Sequence, residues 1–162
     1  MEQTNKPIKR SKELVPLSKE HHEGLLLGWK IKQGLSNGTD INLIAKYTQW
    51  FWENELEQHF RKEEEVLAPH LPADNELVQQ MFREHEEIEA LININAMIAD
   101  EDILKQIADG LNAHIRFEER VLFPFAESFI PAGELEAIAQ ELLKTKEKGK
   151  WEDEFWVRKK RQ

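Results

Sequence analysis

The sequence predicts an all-α fold, an antiparallel up-down-up-down four-helix bundle with an additional C-terminal helical segment. Three observations carry this. Apolar residues recur at helical spacing through most of the 162 residues, little reads as strand, and Pro, Gly and Asx signals cut the chain into segments of about 20–28 residues. Short connections between segments of that length favour antiparallel neighbours.

The elements follow in order. The first helix runs from Leu17 to Leu35 and ends at the turn signal Ser36-Asn37-Gly38. Asp40 suits the N-cap of a second, running from Ile41 to about Leu67, where Pro69 and Pro72 break it. Asp74 is placed to cap a third, from about Asn75 to Ile98. Asp100 or Asp102 opens a fourth, which reaches Pro124. Pro131 fits the first turn of a fifth, to about Lys148, and Trp151, Phe155 and Trp156 suggest a short aromatic segment packing back on the body. Trp50 and Trp52 stand about 200° apart on a helix, so one of them is expected on an exposed patch or a dimer contact. The organisation expected is a polar extension over 1–13, a metal-binding bundle over 14–130, and a C-terminal helix with a basic aromatic tail over 131–162.

Composition narrows the function. The net charge of −9 argues against general nucleic-acid binding, and no apolar run approaches a membrane span. The N-terminus lacks the apolar stretch of a secretion signal, which makes the cytoplasm the default expectation. There is no cysteine, so thiolate sites and cysteine nucleophiles are excluded, and any metal must be held by imidazole and carboxylate. Charge is uneven: Lys144 to Gln162 holds eight Lys/Arg against four acids, a tail that reads as a solvated terminal helix or as one able to dock on the acidic body, on a protein partner or on an anionic surface.

The chemistry lies in a segment that occurs twice. His59-Phe-Arg-Lys-Glu63-Glu64-Glu65-Val66-Leu67-Ala68-Pro69 returns as His114-Ile-Arg-Phe-Glu118-Glu119-Arg120-Val121-Leu122-Phe123-Pro124. Each copy sets a histidine four residues before a glutamate, which stacks both side chains on one helix face. The first and third helices share a basic-Glu-His string, Lys19-Glu20-His21 and Arg83-Glu84-His85. The chain thus reads as two matching hairpins that converge histidines in one core. These positions share helical stripes with apolar residues, where unpaired charge costs several kcal/mol, so a metal is the natural partner. The Glu-x-x-His order of ferritin-like bundles is absent; histidine comes first.

With these motifs the chain resembles the hemerythrin-like domain, also called the HHE cation-binding domain, over roughly residues 14–130. The resemblance implies a four-helix bundle around a non-haem di-iron centre, two iron ions with an oxo or hydroxo bridge. It implies His21, His59, Glu63, His85, Glu89, His114 and Glu118 as ligands, with Glu63 and Glu118 as bridges. His22 competes with His21, and Glu119 with Glu118; the repeat favours His21 and Glu118. Oxygen-carrying members have a second histidine where this chain has Glu89. A third carboxylate there is expected to stabilise the ferric state and speed autoxidation, and oxygen-rich donors also accept Mn or Zn. The function implied is binding or sensing of dioxygen, nitric oxide or redox state. An oxygen- or peroxide-activating enzyme, or a docking module with a metal staple, are the alternatives.

Overall fold

A computed structural model of the chain describes residues 9–144 and 149–157. Helix α1 (Val15–Ser36) begins with Pro16 in its first turn, where the missing N–H would have had no partner. It ends at Asn37 and at Gly38, whose φ of +72° is a left-handed turn conformation that glycine adopts without strain. The second rod is built in pieces: α2 (Ile41–Phe51), a π turn (Trp52–Leu56), α3 (Glu57–Lys62), a second π turn (Glu63–Leu67) and a 3-10 turn (Ala68–His70). Asp40 caps it through Asn42 N–H, as expected. Helix α4 (Glu76–Met97) is capped by Asn75, which accepts from Leu77 N–H; the residue expected there, Asp74, lies one position too early. The fourth rod is α5 (Glu101–Phe117), a π turn (Glu118–Leu122) and α6 (Phe123–Phe129). Of the two expected caps Asp100 is the one used, accepting from Ile103 N–H.

The helix does not end at Pro124 but runs through it. The reason is the π turn just before. A proline inside an α-helix removes one N–H and crowds the carbonyl four residues back. Here the turn widens ahead of the proline, closing on bonds from Phe123 N–H to Glu118 O and, in the other copy, from Ala68 N–H to Glu63 O. Pro69 and Pro124 each follow the glutamate by six residues, so the repeated sequence produces a repeated π turn that begins on the glutamate. Such turns are frequent at functional sites.

Helix α7 (Ala132–Leu142) follows Pro131, which sits at the cap itself, and stops short of the expected end at Lys148. Residues 145–148 and 158–162, which hold much of the basic tail, lie outside the described residues. The aromatic segment does pack back. Phe155 is buried in the core; Trp151, Phe155 and Trp156 surround the Tyr47 ring at 5.1, 5.3 and 5.3 Å, and Asn37 donates to the carbonyls of Phe155 and Trp156. Of the two tryptophans on opposite faces, Trp52 enters the core against Phe60, while Trp50 meets Trp151 at 5.8 Å. The face expected to form an outside contact is therefore taken by the chain's own C-terminal segment. Lys30 reinforces this end, with its ammonium 4.1 Å above the Trp156 ring and donating to Tyr47 Oη.

Gly34 admits that segment. A Cβ there would stand 2.8 Å from the Phe155 ring and 2.9 Å from Ile44. Gly34→Ala is expected to cost about 1–3 kcal/mol by overpacking, read as a lower melting temperature with faster proteolysis between Gly149 and Val157. An unchanged melt and digest would overturn this account.

The core has two apolar halves. One includes Leu27, Ile31, Tyr47, Trp52, Ile88, Leu104 and Leu111; the other includes Leu17, Leu67, Val78, Met81, Leu122, Phe123 and Ile138. On every rod a buried histidine or glutamate falls between the two: His21, His59 with Glu63, His85, and His114 with Glu118. Among the described residues no helix is long and apolar enough to cross a membrane.

Candidate metal centre

Six of the seven residues expected at the site come together, each at most 4% exposed. The four imidazoles turn Nε2 inward onto two carboxylates, Glu63 and Glu118, the first residues of the two π turns. His85 Nε2 lies 3.0 Å from Glu63 Oε1 and His114 Nε2 lies 3.2 Å from Glu118 Oε1. His21 Nε2 is 2.8 Å from Glu118 Oε1 and 3.4 Å from Glu63 Oε2, and His59 Nε2 is 3.4 Å from Glu63 Oε1. The rings pair off, His21 with His59 and His85 with His114, both at 4.8 Å between centroids.

These ligand atoms form two groups, His21, His59, Glu63, Glu118 and Glu63, His85, His114, Glu118, each lying within 4.8 Å of one another and sharing both carboxylates. His21 Nε2 and Glu118 Oε1 are hydrogen-bonded at 2.8 Å, but most of the inner atoms lie close without hydrogen bonding, which is the telling observation. His59, His85 and His114 Nε2, both oxygens of Glu63 and Glu118 Oε2 are all buried without a hydrogen-bond partner. An unpartnered buried polar atom costs about 1–3 kcal/mol, more when charged. Six in one place fit atoms aimed at cations set between them, so the donor set suits two ions with bridging carboxylates.

An outer ring of glutamates fixes the imidazoles. Each Nδ1 faces one carboxylate: His21 with Glu119 at 2.7 Å, His59 with Glu20 at 2.9 Å, His85 with Glu64 at 2.7 Å and His114 with Glu84 at 2.8 Å. With Nδ1 protonated and donating, Nε2 is left to bind a metal, and the carboxylate makes it a stronger donor. Cations, a hydroxyl and an amide steady the ring in turn: Lys62 on Glu20, Arg61 on Glu64, Arg10 and the Ser18 hydroxyl on Glu119, and the Gln80 amide on Glu84. Phe60 stacks on His85 at 3.9 Å and Phe123 on His21 at 5.2 Å, closing the site against water.

The electrostatics follow. Burial disfavours charge on these imidazoles, but the carboxylates around them prevail. His21 and His85 are raised well above the usual value, His59 is raised, and His114 rises to about 9. For Glu63, burial and the Glu118 charge both resist ionisation, yet His59 and His21 hold its carboxyl down to about 2. Glu118 is likewise held well below the usual range, burial being outweighed by His114, His21 and His85. In the ion-free protein, protons on the imidazoles thus neutralise the carboxylates.

Glu89 is the residue that stays outside. The buried stripe of α4 runs through Met81, His85, Ile88 and Ile92, which leaves position 89 at its edge. The side chain is about a third exposed, and its carboxylate lies 3.5 Å from Arg61. Its counterpart on α1, Leu25, is likewise exposed. The expected third carboxylate is therefore missing from the cluster, and with it the argument for a lowered reduction potential. Glu89→His is expected to leave metal content and oxidation rate unchanged within about twofold, checked by elemental analysis and by following the optical spectrum in air; altered stoichiometry would return Glu89 to the site. The competing alternatives also separate. His22 is exposed, and Glu119 stands in the outer ring. The outer ring went unread in the sequence, although a signal was there. Glu20-His21 matches Glu84-His85, and Glu63-Glu64 matches Glu118-Glu119, so each outer carboxylate adjoins an inner one or a histidine.

A four-rod helical bundle with a buried His/carboxylate cluster at its middle defines a cation-binding bundle. The family model for the Hemerythrin HHE cation binding domain matches residues 13–126. The chain belongs to that family. No curated protein and no solved structure matches the chain.

Proposed function

We propose that the chain is a non-haem di-iron protein that binds or senses a small ligand, dioxygen, nitric oxide or peroxide, or the redox state of its surroundings. The observation that carries this is the pair of four-residue groups sharing Glu63 and Glu118. His21 and His59 would hold one ion, His85 and His114 the other, and the two glutamates would bridge them. When bound, such a centre supplies redox-active metal able to take a small exogenous ligand. The chain's own part is to orient the rings through Glu20, Glu64, Glu84 and Glu119, and to exclude bulk water with Phe60 and Phe123. A donor set of imidazole and carboxylate without thiolate suits iron and also admits manganese or zinc; iron is favoured by the family.

The surroundings support a small ligand over a bulky substrate. A cavity beside His59, lined also by Glu20, Phe51 and Leu56, has a volume of about 20 Å³, close to the least that holds one water. The test is elemental analysis of protein purified without added metal, with optical spectra before and after oxygen. Two iron per chain and an oxygen-dependent charge-transfer band are expected. One ion per chain, or a spectrum indifferent to oxygen and nitric oxide, would overturn the reading.

A further inference from the structure

Three of the four outer glutamates are steadied from within the rods. Lys62 and Arg61 on the second rod hold Glu20 and Glu64, and Gln80, one turn earlier on α4, holds Glu84. Glu119, the partner of His21, differs. Besides Ser18 on α1 it is held by Arg10, which stands ahead of α1 and outside the four rods.

The proline of the repeat explains why this place takes an outside donor. In an α-helix the Glu119 carbonyl would accept from the N–H four residues on, that of Phe123. The π turn has given that N–H to the Glu118 carbonyl instead. A π-helical bond would come from residue 124, which is proline and has no N–H. Neither position of the helix therefore donates to the Glu119 carbonyl, and Arg10 Nη2 does. Arg10 Nη1 lies 2.5 Å from Glu127 Oε1, and Ser11 N–H donates to Glu127 Oε2, so the segment is tied to the fourth rod at two residues. Nη2 also stands 3.7 Å from Glu119 Oε1, which leaves Oε2 to Ser18 Oγ and His21 Nδ1, both at 2.7 Å. The guanidinium carbon is 5.2 Å from the centre of the Phe123 ring, the ring that stacks on His21. The Arg10 side chain is only 6% exposed, so these contacts are not those of a solvated surface pair. Leu14, fully buried, and its N–H bond of 3.1 Å to the Ser11 carbonyl fix the segment where it enters α1.

We propose that Arg10 is a positioning residue of the metal centre. It supplies the donor that Pro124 lacks, fixes Glu119, and through Glu119 aims the His21 imidazole at its ion. The His21/His59 position thus depends on a residue outside the bundle, whereas the His85/His114 position is braced by the rods alone. Arginine suits the task because its planar fork presents several donors at fixed angles, which a lysine ammonium does not. The inference rests on the reading that the cluster holds two ions, but not on their being iron.

The test uses the full chain with zinc as a diamagnetic probe, chelator competition for the two affinities, and NMR of isotope-labelled histidine side chains. Arg10→Met keeps the stem and removes the fork. Glu127→Ala removes the anchor of Nη1 and of Ser11 N–H without touching Glu119. In both variants the His21 Nδ1–H signal is expected to move while those of His85 and His114 stay. Zinc at one of the two positions is expected to weaken by about 3–10-fold, less than is typical when a direct partner of a ligand is lost. Arg10→Lys is expected to fall between Arg10→Met and wild type. Combining Arg10→Met with Glu84→Gln, which acts on the His85/His114 position, is expected to weaken both positions, one through each change. Gly34→Ala is the control for a merely structural role: it is expected to lower the melting temperature without moving the His21 signal. A His21 signal unmoved in both Arg10→Met and Glu127→Ala, or equal weakening of both positions by Arg10→Met alone, would overturn the proposal. The His21 signal is read with and without zinc, so fewer than two zinc ions on the wild type would count against the two-ion reading and still leave the role of Arg10 decided.

Discussion

Removing the ions with a chelator is expected to lower the melting temperature by about 10 °C or more, and to make stability fall as the pH rises. The size follows from linkage: an ion present at a thousandfold excess over its Kd stabilises by about 4 kcal/mol, and each kcal/mol shifts a chain of this size by about 2–4 °C. The pH dependence follows from the sign of the shifts. The four imidazoles are raised in the folded, ion-free protein, so their contribution is full below the ordinary histidine value of 6.5 and is lost as the pH climbs through the folded values, about 9 for His114. The two glutamates are depressed, so theirs is full above 4.5 and is lost as the pH falls toward about 2 for Glu63. The ion-free protein should therefore be most stable between about pH 4.5 and 6.5, whereas the loaded protein should hold its stability toward pH 9. Thermal melts of both forms across pH 4–9 check this. Coincident curves after verified chelation would mean that the buried cluster binds no ion.

On the proposed two-ion reading, replacing Glu63 or Glu118 should remove both ions together. Glu63 and Glu118 belong to both four-residue groups, whereas each histidine belongs to one. Glu63→Ala is expected to weaken both positions at least 100-fold, and Glu118→Ala likewise, because each position loses one of four ligands and keeps unpaired buried imidazoles. An outer-ring change should be milder and local. Glu84→Gln keeps a partner for His114 Nδ1 but removes the charge, and is expected to cost about 10–100-fold at the His85/His114 position alone. Competition against a chromophoric chelator separates these outcomes. A Glu63→Ala protein that still holds one ion tightly would mean that the carboxylate serves one position rather than two.

The sequence was most legible where local rules and core packing agree. The rods, the Asp40 cap, a fourth start at Asp100 or Asp102 and the return of Phe155 to the core followed from periodicity and turn chemistry. The place of Glu89 outside the cluster is not legible in the sequence, because spacing alone cannot tell i+4 on the buried stripe from i+4 at its edge; that depends on which neighbour, Ile88 or Glu89, the opposing rods accept. The π turns were hidden for a related reason. A proline reads as a stop, whereas the fourth rod widens into a π turn ahead of Pro124 and continues with Phe123, Ala126 and Ile130 packed in the core. The outer carboxylates looked like ordinary solvated acids in a chain that has 31 of them.

The crossed pattern of the outer ring has a mechanical meaning. His59 and His114 lean on glutamates of their own hairpins, but His21 leans on Glu119 and His85 on Glu64, each from the other hairpin. Each four-residue group also borrows one carboxylate across the same divide. Neither half of the chain holds a complete nest. An ion held there would act as a clasp, and its arrival and the closing of the two halves would be one event.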